Sequence, residues 1–187
     1  MPKHYGIIKQ SIVNYPLNLL DFRLCIVLSF FSNHLFRKGN MIQRERIADN
    51  VYSFQSEVYA QVTAGAIVGP NWAVVIDTLA LPEETLAIRD FIEQEIGVPV
   101  RYVINTHYHA DHAWGNYFFP GATVIASDLC RQILENRGNE SLENARKQNL
   151  AFRNVKIVLP HLTFETGILS LRVGKKTLSL SSLPGHS

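Results

Sequence analysis

A short apolar run that leads into a cluster of histidines is the feature that most restricts the fold of this chain. The run VRYVINT occupies residues 100–106, and HYHADHAWGN follows directly as residues 107–116. A mainly apolar run of this length is typical of a buried strand. Polar residues at the carboxyl end of such a strand lie where α/β folds place their sites. The sequence therefore favours an α/β fold with a functional site after residue 106.

The residues before this strand predict two half-buried strands, a central strand and a helix. Apolar residues alternate with small or polar ones in the first two strands, and a continuous apolar run ending in Asp77 predicts the third. Pro82 suits the first turn of the helix and Gly97 its end. One buried stripe of the helix would contain Ile88, Phe91, Ile92 and Ile96. These elements cover residues 50–54, 60–69, 72–78 and 82–97.

The residues after the cluster predict a strand, two helices and three further strands. Ser127 is a candidate N-cap of the first helix, which would carry Leu129 and Ile133 on one face. The second helix is polar. The predicted elements cover residues 122–127 (strand), 140–152 (second helix), and 155–160, 168–173 and 176–183 (strands). This order of elements predicts a mixed α/β (α+β) fold.

The chain of 187 residues suits one ordinary domain, which we expect to span residues 41–187. Residues 1–40 show no usable periodicity and are interpreted as an N-terminal extension of unclear structure. Polar residues interrupt the apolar stretch at 24–36, which is shorter than the roughly 20 apolar residues that a membrane-spanning helix needs. The sequence therefore predicts no membrane partner.

The charge and the cysteines restrict the partners and the compartment. The net charge of +2, with no block of basic residues, indicates no nucleic-acid partner. Cys25 and Cys130 are far apart and have no ligand-like spacing, so each is interpreted as a small buried residue. This usage fits a reducing compartment, and a cytoplasmic location is expected.

The chemistry of the cluster points to a metal site. His107 and His109 are two residues apart, so on an extended loop their rings lie on the same side and can converge on one ion. Asp111 and His112 follow and can face a second ion or a bridging water. Imidazole and carboxylate groups bind zinc, and also iron or manganese. The alternative, surface histidines with no shared task, would leave crowded imidazoles that repel one another when protonated.

The neighbours of these residues have simpler interpretations. Gly115 and Asn116 are expected to shape the turn, and Trp114 is either a packing residue or part of a substrate wall. His161 is expected to be a surface residue. No serine or cysteine in the sequence has the surroundings of a nucleophile, and the final GHS is not a nucleophile elbow.

The motif THYHADHAWGN resembles the H-x-H-x-D-H signature of the metallo-β-lactamase fold superfamily. The strand AVVIDT and the strand-turn KTLSLSSLPGHS are also similar to that family, so the resemblance covers roughly residues 47–187. It implies an αββα sandwich, of which this chain would hold the first half only. It also implies a first metal held by His107, His109 and His186, a second held by Asp111 and His112, and Asp77 steadying the loop behind them.

The same resemblance implies a metal-dependent hydrolase that acts on a small molecule. A zinc-bound hydroxide would attack an ester, thioester, lactone or amide carbonyl, and Asp111 would be catalytic because it orients the water and moves its proton. Two alternatives stay open. One is a mono-iron dioxygenase, which shares the motif, and the other is a truncated remnant with weak activity or none.

The truncated interpretation follows from Ser187, because members of this family continue past the equivalent of PGHS to further ligands and strands. A chain that ends there would leave an unpaired sheet edge and exposed apolar surface. Self-association through that surface is therefore expected.

Overall fold

The computed structural model describes residues 41–183, which form two sheets and the helices that cover one of them. The larger sheet has seven strands in chain order, and the smaller one has two. The strands are β1 (Ile42–Ala48), β2 (Val51–Ser56), β3 (Thr63–Val68), β4 (Ala73–Ile76), β5 (Val100–Ile104), β6 (Thr123–Ser127), β7 (Leu162–Phe164), β8 (Ile168–Val173) and β9 (Lys176–Ser181). The α-helices are α1 (Pro82–Asp90), α2 (Ala110–Ala113) and α3 (Asp128–Gln148). The predicted mixed α/β fold is confirmed.

The pairing of neighbouring strands in the larger sheet changes from antiparallel to parallel at β4. Short connections make the pairs from β1 to β4 antiparallel, whereas the longer connections that contain the helices make the pairs from β4 to β7 parallel. In the parallel part, Ile76 of β4 lies beside Ile104 of β5. The residues that follow these two strands therefore emerge side by side at one edge of the sheet.

The larger sheet has a different cover on each face. One face packs against α1, and its core includes Phe54, Val75 and Val124. The other face, which includes Val74 and Ile125, packs against apolar residues of β8 and β9 such as Leu171 and Leu178. The described residues thus form a helix layer, a seven-stranded layer and a two-stranded layer, as expected for the first part of an αββα sandwich.

The helix predicted after Pro82 is confirmed, but its last turns are wider than expected. α1 continues into a π-helix over Phe91–Ile96, and Gly97 closes it in a left-handed conformation with a φ of 83°. Ile88 and Ile92 are fully buried, as their spacing predicts. The amide of Gly97 donates to the carbonyl of Ile92, five residues earlier, so the glycine completes the wide turn and ends it.

The separate helix predicted over residues 140–152 is wrong, because one helix extends from Asp128 to Gln148. Gly138 does not interrupt it; a Cβ there would lie 3.3 Å from Ile157 Cγ1, so the glycine lets Ile157 pack closely against the helix. The predicted cap is confirmed, since the hydroxyl of Ser127 accepts from the amide of Cys130. Leu129 is exposed, and the buried face of the helix instead contains Cys130, Leu134, Gly138 and Leu142.

The strand predicted over residues 155–160 is also wrong. Side chains, not a neighbouring strand, satisfy carbonyls of this segment: Arg146 donates to Val155 O, Asn116 to Val158 O and Arg131 to Pro160 O. Pairing with β6 begins only at Leu162. The sequence does not predict β1, because all but one of its residues are exposed and it shows no buried alternation.

The boundary predicted at residue 40 stays a prediction, because residues 1–40 lie outside the described range. Among residues 41–183, every helix is too short or too polar to cross a membrane.

Candidate metal centre

Asp77 joins the ends of β4 and β5. It follows β4 directly and is 4% exposed, and its backbone has a φ of 57°. Its Oδ1 accepts a hydrogen bond of 2.8 Å from the amide of Thr106, and its Oδ2 accepts one of 2.7 Å from the Thr106 hydroxyl. A left-handed conformation costs an ordinary residue about 1 kcal/mol or more. The hydrogen bonds to Thr106 offset this cost and fix the start of the histidine loop.

The hydroxyl of Thr106 determines which nitrogen of His107 carries a proton. Its one hydrogen is donated to Asp77, so it can only accept from His107 Nδ1, which lies 3.0 Å away. The proton on Nδ1 leaves the lone pair of His107 on Nε2. That Nε2 lies 2.9 Å from His109 Nδ1. His109 Nδ1 therefore donates to His107 Nε2, and the two ring nitrogens face each other across one shared proton. A metal ion bound by both rings would take the place of that proton.

His112 has the same kind of arrangement on α2. Its Nδ1 donates to Asp77 Oδ2 over 2.9 Å, so its Nε2 carries the lone pair and lies 3.4 Å from Asp111 Oδ2. Burial alone would lower the pKa of His112. The hydrogen bond and the charge of Asp77, together with the charge of Asp111, outweigh burial and raise the pKa above its ordinary value. The imidazole is therefore held in place by a buried carboxylate, as ligating histidines commonly are.

The donor atoms at this edge of the sheet form two pairs, each of which could contribute to a metal site. His107 Nε2 and His109 Nδ1 form one pair, and His112 Nε2 and Asp111 Oδ2 form the other. The rings of His107 and His112 are 4.0 Å apart between centroids, so the pairs adjoin. No set of three histidine, cysteine, aspartate or glutamate side chains within residues 41–183 has the geometry to hold one ion. Because zinc takes at least three protein ligands, a complete site needs a donor from elsewhere.

The predicted third ligand, His186, lies outside the described residues. The structure brings His107, His109, Asp111, His112 and Asp77 together at one edge of the sheet. Their assignment to a first and a second metal, and the catalytic role of Asp111, stay predictions.

Buried polar residues from separate parts of the chain hold the backbone of α2. The carbonyl of His112 accepts hydrogen bonds from the Asn105 side chain (2.8 Å) and from the Thr78 hydroxyl (3.0 Å). Asn105 and Asn116 also exchange two amide hydrogen bonds of 2.8 and 3.0 Å. Asn116 thus does more than shape a turn. In the sequence, Asn105 stands just before the histidine motif and Asn116 stands at its end, but that the two pair can be known only from the tertiary structure.

Gly115 and Trp114 fix α2 against the rest of the domain. A Cβ at Gly115 would lie 2.5 Å from Thr85 Oγ1 and 2.7 Å from Thr78 Oγ1, so only glycine fits there. Trp114 is buried and packs edge-on against Phe152, which supports its interpretation as a packing residue. His161 is exposed, as expected, and its Nδ1 accepts from the amide of Val124.

Cys130 is not a candidate for chemistry. It lies on the buried face of α3, and burial raises the pKa of its thiol to about 12. A thiol that stays protonated at neutral pH is a weak nucleophile and a weak ligand.

Comparison with known proteins agrees with this fold. The family model of the metallo-beta-lactamase superfamily matches residues 59–187. A metallo-beta-lactamase from Pontibacter korlensis superposes with a TM-score of 0.54 at 21% identity, over 74% of this chain and 59% of that protein. One from Hirschia baltica gives a TM-score of 0.52 at 16% identity, over 70% of this chain and 56% of that protein.

A third similar structure is the metallo-beta-lactamase FIM-1 of Pseudomonas aeruginosa, solved in a mono-zinc form. It superposes with a TM-score of 0.50 at 14% identity, over 67% of this chain and 51% of that protein. The chain thus spans little more than half the length of these relatives, and at such identities they show the fold alone. The family model, together with the matching fold, identifies the chain as a member of the metallo-β-lactamase superfamily.

Proposed function

We propose that this protein is a metal-dependent hydrolase that cleaves an ester, thioester, lactone or amide bond of a small molecule. The observation that carries the proposal is the convergence of His107 Nε2 and His109 Nδ1, 2.9 Å apart, beside the pair formed by His112 Nε2 and Asp111 Oδ2. Hydrogen bonds keep the protons of His107 and His112 on their Nδ1 atoms, so the Nε2 lone pair of each ring can serve as a ligand. Membership of the superfamily supports the same chemistry.

Zinc is the metal that we propose, with iron or manganese as alternatives. The pairs contain imidazole nitrogen and carboxylate oxygen and no thiolate, a donor set that suits all three metals. We propose His186 as the further ligand of the pair His107 and His109. A bound divalent ion would supply a Lewis acid that polarises the substrate carbonyl and makes water acidic at neutral pH.

The side chains of the protein would position the reaction. Asp77 keeps His112 in one tautomer, so Nε2 is always presented to the site. Asp111 is partly exposed at the same point, so we propose that its carboxylate orients the attacking water and holds the proton that the water loses. The imidazole pair formed by His107 and His109 is preorganised, and the alignment of the reactants therefore needs little rearrangement.

The first experiment measures the metal content of the purified full chain after growth with added zinc or iron. His107→Ala should lower the bound metal by at least tenfold, because it removes a ligand. His161→Ala is the matched control, since this exposed histidine binds only the amide of Val124, and it should leave the metal content unchanged. Wild-type protein without metal, or equal metal in the two variants, would contradict the proposal.

The second experiment tests hydrolysis with a chromogenic cephalosporin, a thioester and a lactone. Activity should require metal, and Asp111→Asn should reduce kcat by about 100-fold or more while the substrate still binds. Iron-loaded protein that consumes oxygen and hydrolyses none of these compounds would favour the dioxygenase alternative. Metal-loaded protein with neither activity would favour a non-catalytic role.

A further inference from the structure

A cavity of about 370 Å³ lies next to His109, between the histidine loop and α3. Tyr108 and Trp114 form one side of it, and Ile133 and Leu134 of α3 form the other. These walls are mainly aromatic and aliphatic, and the volume is in the range of pockets that bind small molecules. The cavity is therefore suited to an apolar group of about the size of a phenylalkyl chain.

Arg137 adds one positive charge to the lining of this cavity. Among residues 41–183, Arg137 makes no hydrogen bond or ion pair, and no carboxylate of this part of the chain lines the cavity. A guanidinium with no acidic partner attracts an anion and binds a carboxylate through two parallel hydrogen bonds. The combination of apolar walls and one cation favours a ligand with an apolar body and one negative charge.

The position of the cavity connects it to the candidate metal centre. His109 lines it and also presents Nδ1 to His107 Nε2. A molecule in the cavity therefore contacts the ring of a proposed metal ligand. A group bound at that distance could belong to the same substrate as the bond that is cleaved.

We propose that this cavity binds the non-reacting part of the substrate, an aryl or alkyl chain that carries a carboxylate, and that Arg137 pairs with this carboxylate. The proposal rests on the proposed hydrolase function for its link to catalysis, but not for the binding itself. It assigns Arg137 as a residue that determines specificity and narrows the substrate class to anionic amphiphilic esters, thioesters, lactones or amides.

Binding is tested on the metal-free full chain with 4-phenylbutyrate and its neutral analogue 4-phenylbutan-1-ol, by calorimetric titration. The acid should bind about tenfold more tightly than the alcohol at low ionic strength, as expected for one charge-assisted contact. The preference should persist in His107→Ala, which lacks a metal ligand. It should be lost in Arg137→Gln and kept in Arg153→Gln, a matched control at an exposed arginine outside the cavity.

A cavity-filling variant supplies a second test. Ser141 is exposed and lines the cavity, so Ser141→Trp should weaken binding of both probes at least tenfold without unfolding the chain, which circular dichroism checks. Equal affinities of wild-type protein for acid and alcohol would overturn the proposal. So would a preference that survives in Arg137→Gln, or unchanged binding by Ser141→Trp.

Catalysis separates this proposal from the hydrolase assignment. With metal-loaded protein, Arg137→Gln should raise KM about tenfold for mono-4-nitrophenyl glutarate and leave KM for the neutral 4-nitrophenyl pentanoate unchanged. Binding as described, with neither these esters nor the cephalosporin, thioester and lactone hydrolysed by metal-loaded protein, would refute the hydrolase function and leave the cavity as a carboxylate site. Hydrolysis of both esters with the same KM in wild-type and variant would refute the role of Arg137 alone.

Discussion

Replacement of Gly115 by alanine should disturb both the stability of the domain and the candidate metal centre. The added Cβ would lie 2.5 Å from Thr85 Oγ1, 2.6 Å from Thr78 Cβ and 2.7 Å from Thr78 Oγ1, all closer than a Cβ comes to a non-bonded carbon or oxygen atom. Both threonines are fully buried, so neither can move into solvent. Because a whole side-chain atom has no room, either the backbone of the 3-10 helix that follows α2 (Trp114–Phe118) or the two threonines must shift.

The expected cost follows from what those threonines hold. Overpacking of a buried site costs about 1–3 kcal/mol. A displaced Thr85 loses its 2.6 Å hydrogen bond to Thr78 O, and a displaced Thr78 loses its 3.0 Å hydrogen bond to the carbonyl of His112. With about 0.5–1.5 kcal/mol added for each of the two hydrogen bonds, the free energy of unfolding should fall by about 2–6 kcal/mol. That is a large share of the about 5–15 kcal/mol typical of a domain.

The assay is urea denaturation followed by circular dichroism, with Gly121→Ala as the matched control. A Cβ added at Gly121 would have no atom within 4 Å, and the residue has no left-handed φ, so alanine there should be neutral or slightly stabilising. Thr85→Ala should partly rescue Gly115→Ala, because it removes the nearest clashing atom. The reasoning would be refuted if Gly115→Ala unfolded at the same urea concentration as Gly121→Ala. It would also be refuted if the effects of Gly115→Ala and Thr85→Ala on the free energy of unfolding were additive in the double variant.

Three further predictions concern the carboxyl groups and the surface. Asp77→Asn removes an acceptor from His112, so chelator competition should show zinc affinity about 10–100-fold weaker. Burial raises the pKa of the Glu84 carboxyl above its ordinary 4.5, so the stability that its protonated form contributes is lost as pH rises. Denaturation midpoints should therefore show Glu84→Gln to be more stable than wild type above about pH 5 and equally stable at pH 4. Glu83→Gln, at an exposed site, should show no such pH trend. If the exposed side chain of Ile168 on β8 promotes self-association, as we propose, Ile168→Lys should elute as a smaller species in size-exclusion chromatography.

The strands that the sequence predicts well are those whose burial is set by their own residues. Val74 and Val75 of β4 are fully buried, and a strand covered on both faces has a continuous apolar run that needs no partner to be recognised. β1 has the opposite character. It contains Arg44, Glu45 and Arg46, almost all of its residues are exposed, and only its backbone pairing with β2 makes it a strand. Backbone pairing leaves no mark in composition, so an edge strand of this kind cannot be predicted locally.

The segment at residues 155–160 is the opposite case, because the sequence predicts a strand there and the structure has none. It is apolar because Val155 and Pro160 pack into the domain, and an apolar run of this length favours a strand when it is judged by composition alone. Its carbonyls are satisfied by side chains from outside the segment, namely Arg131 and Arg146 of α3 and Asn116. Burial is therefore predictable from the sequence, whereas the choice between a strand and an irregular extended segment is not.

In the candidate site, too, some residues can be predicted from the sequence and others cannot. The proposed ligands are recognisable because their spacing of one or two residues is itself the chemical signal. The groups that support them come from separate parts of the chain: Asp77 and Thr78 follow β4, Asn105 follows β5 and Asn116 follows α2. Each alone is an ordinary polar residue. Their common function exists only once parallel pairing has placed the ends of β4 and β5 side by side.

The groups that support His112 also affect how metal would bind. His112 is held at its carbonyl by Thr78 and Asn105 and at its Nδ1 by Asp77, and none of these three contacts uses a group proposed to touch the ion. Most of the ordering of the loop is thus achieved when the sheet forms, and the entropy cost is met by folding before any ion arrives. A pair of ligands that is already ordered loses little freedom on binding, so even a partial set of donors can retain affinity. Loss of a supporting residue should therefore weaken metal binding although every proposed ligand is still present.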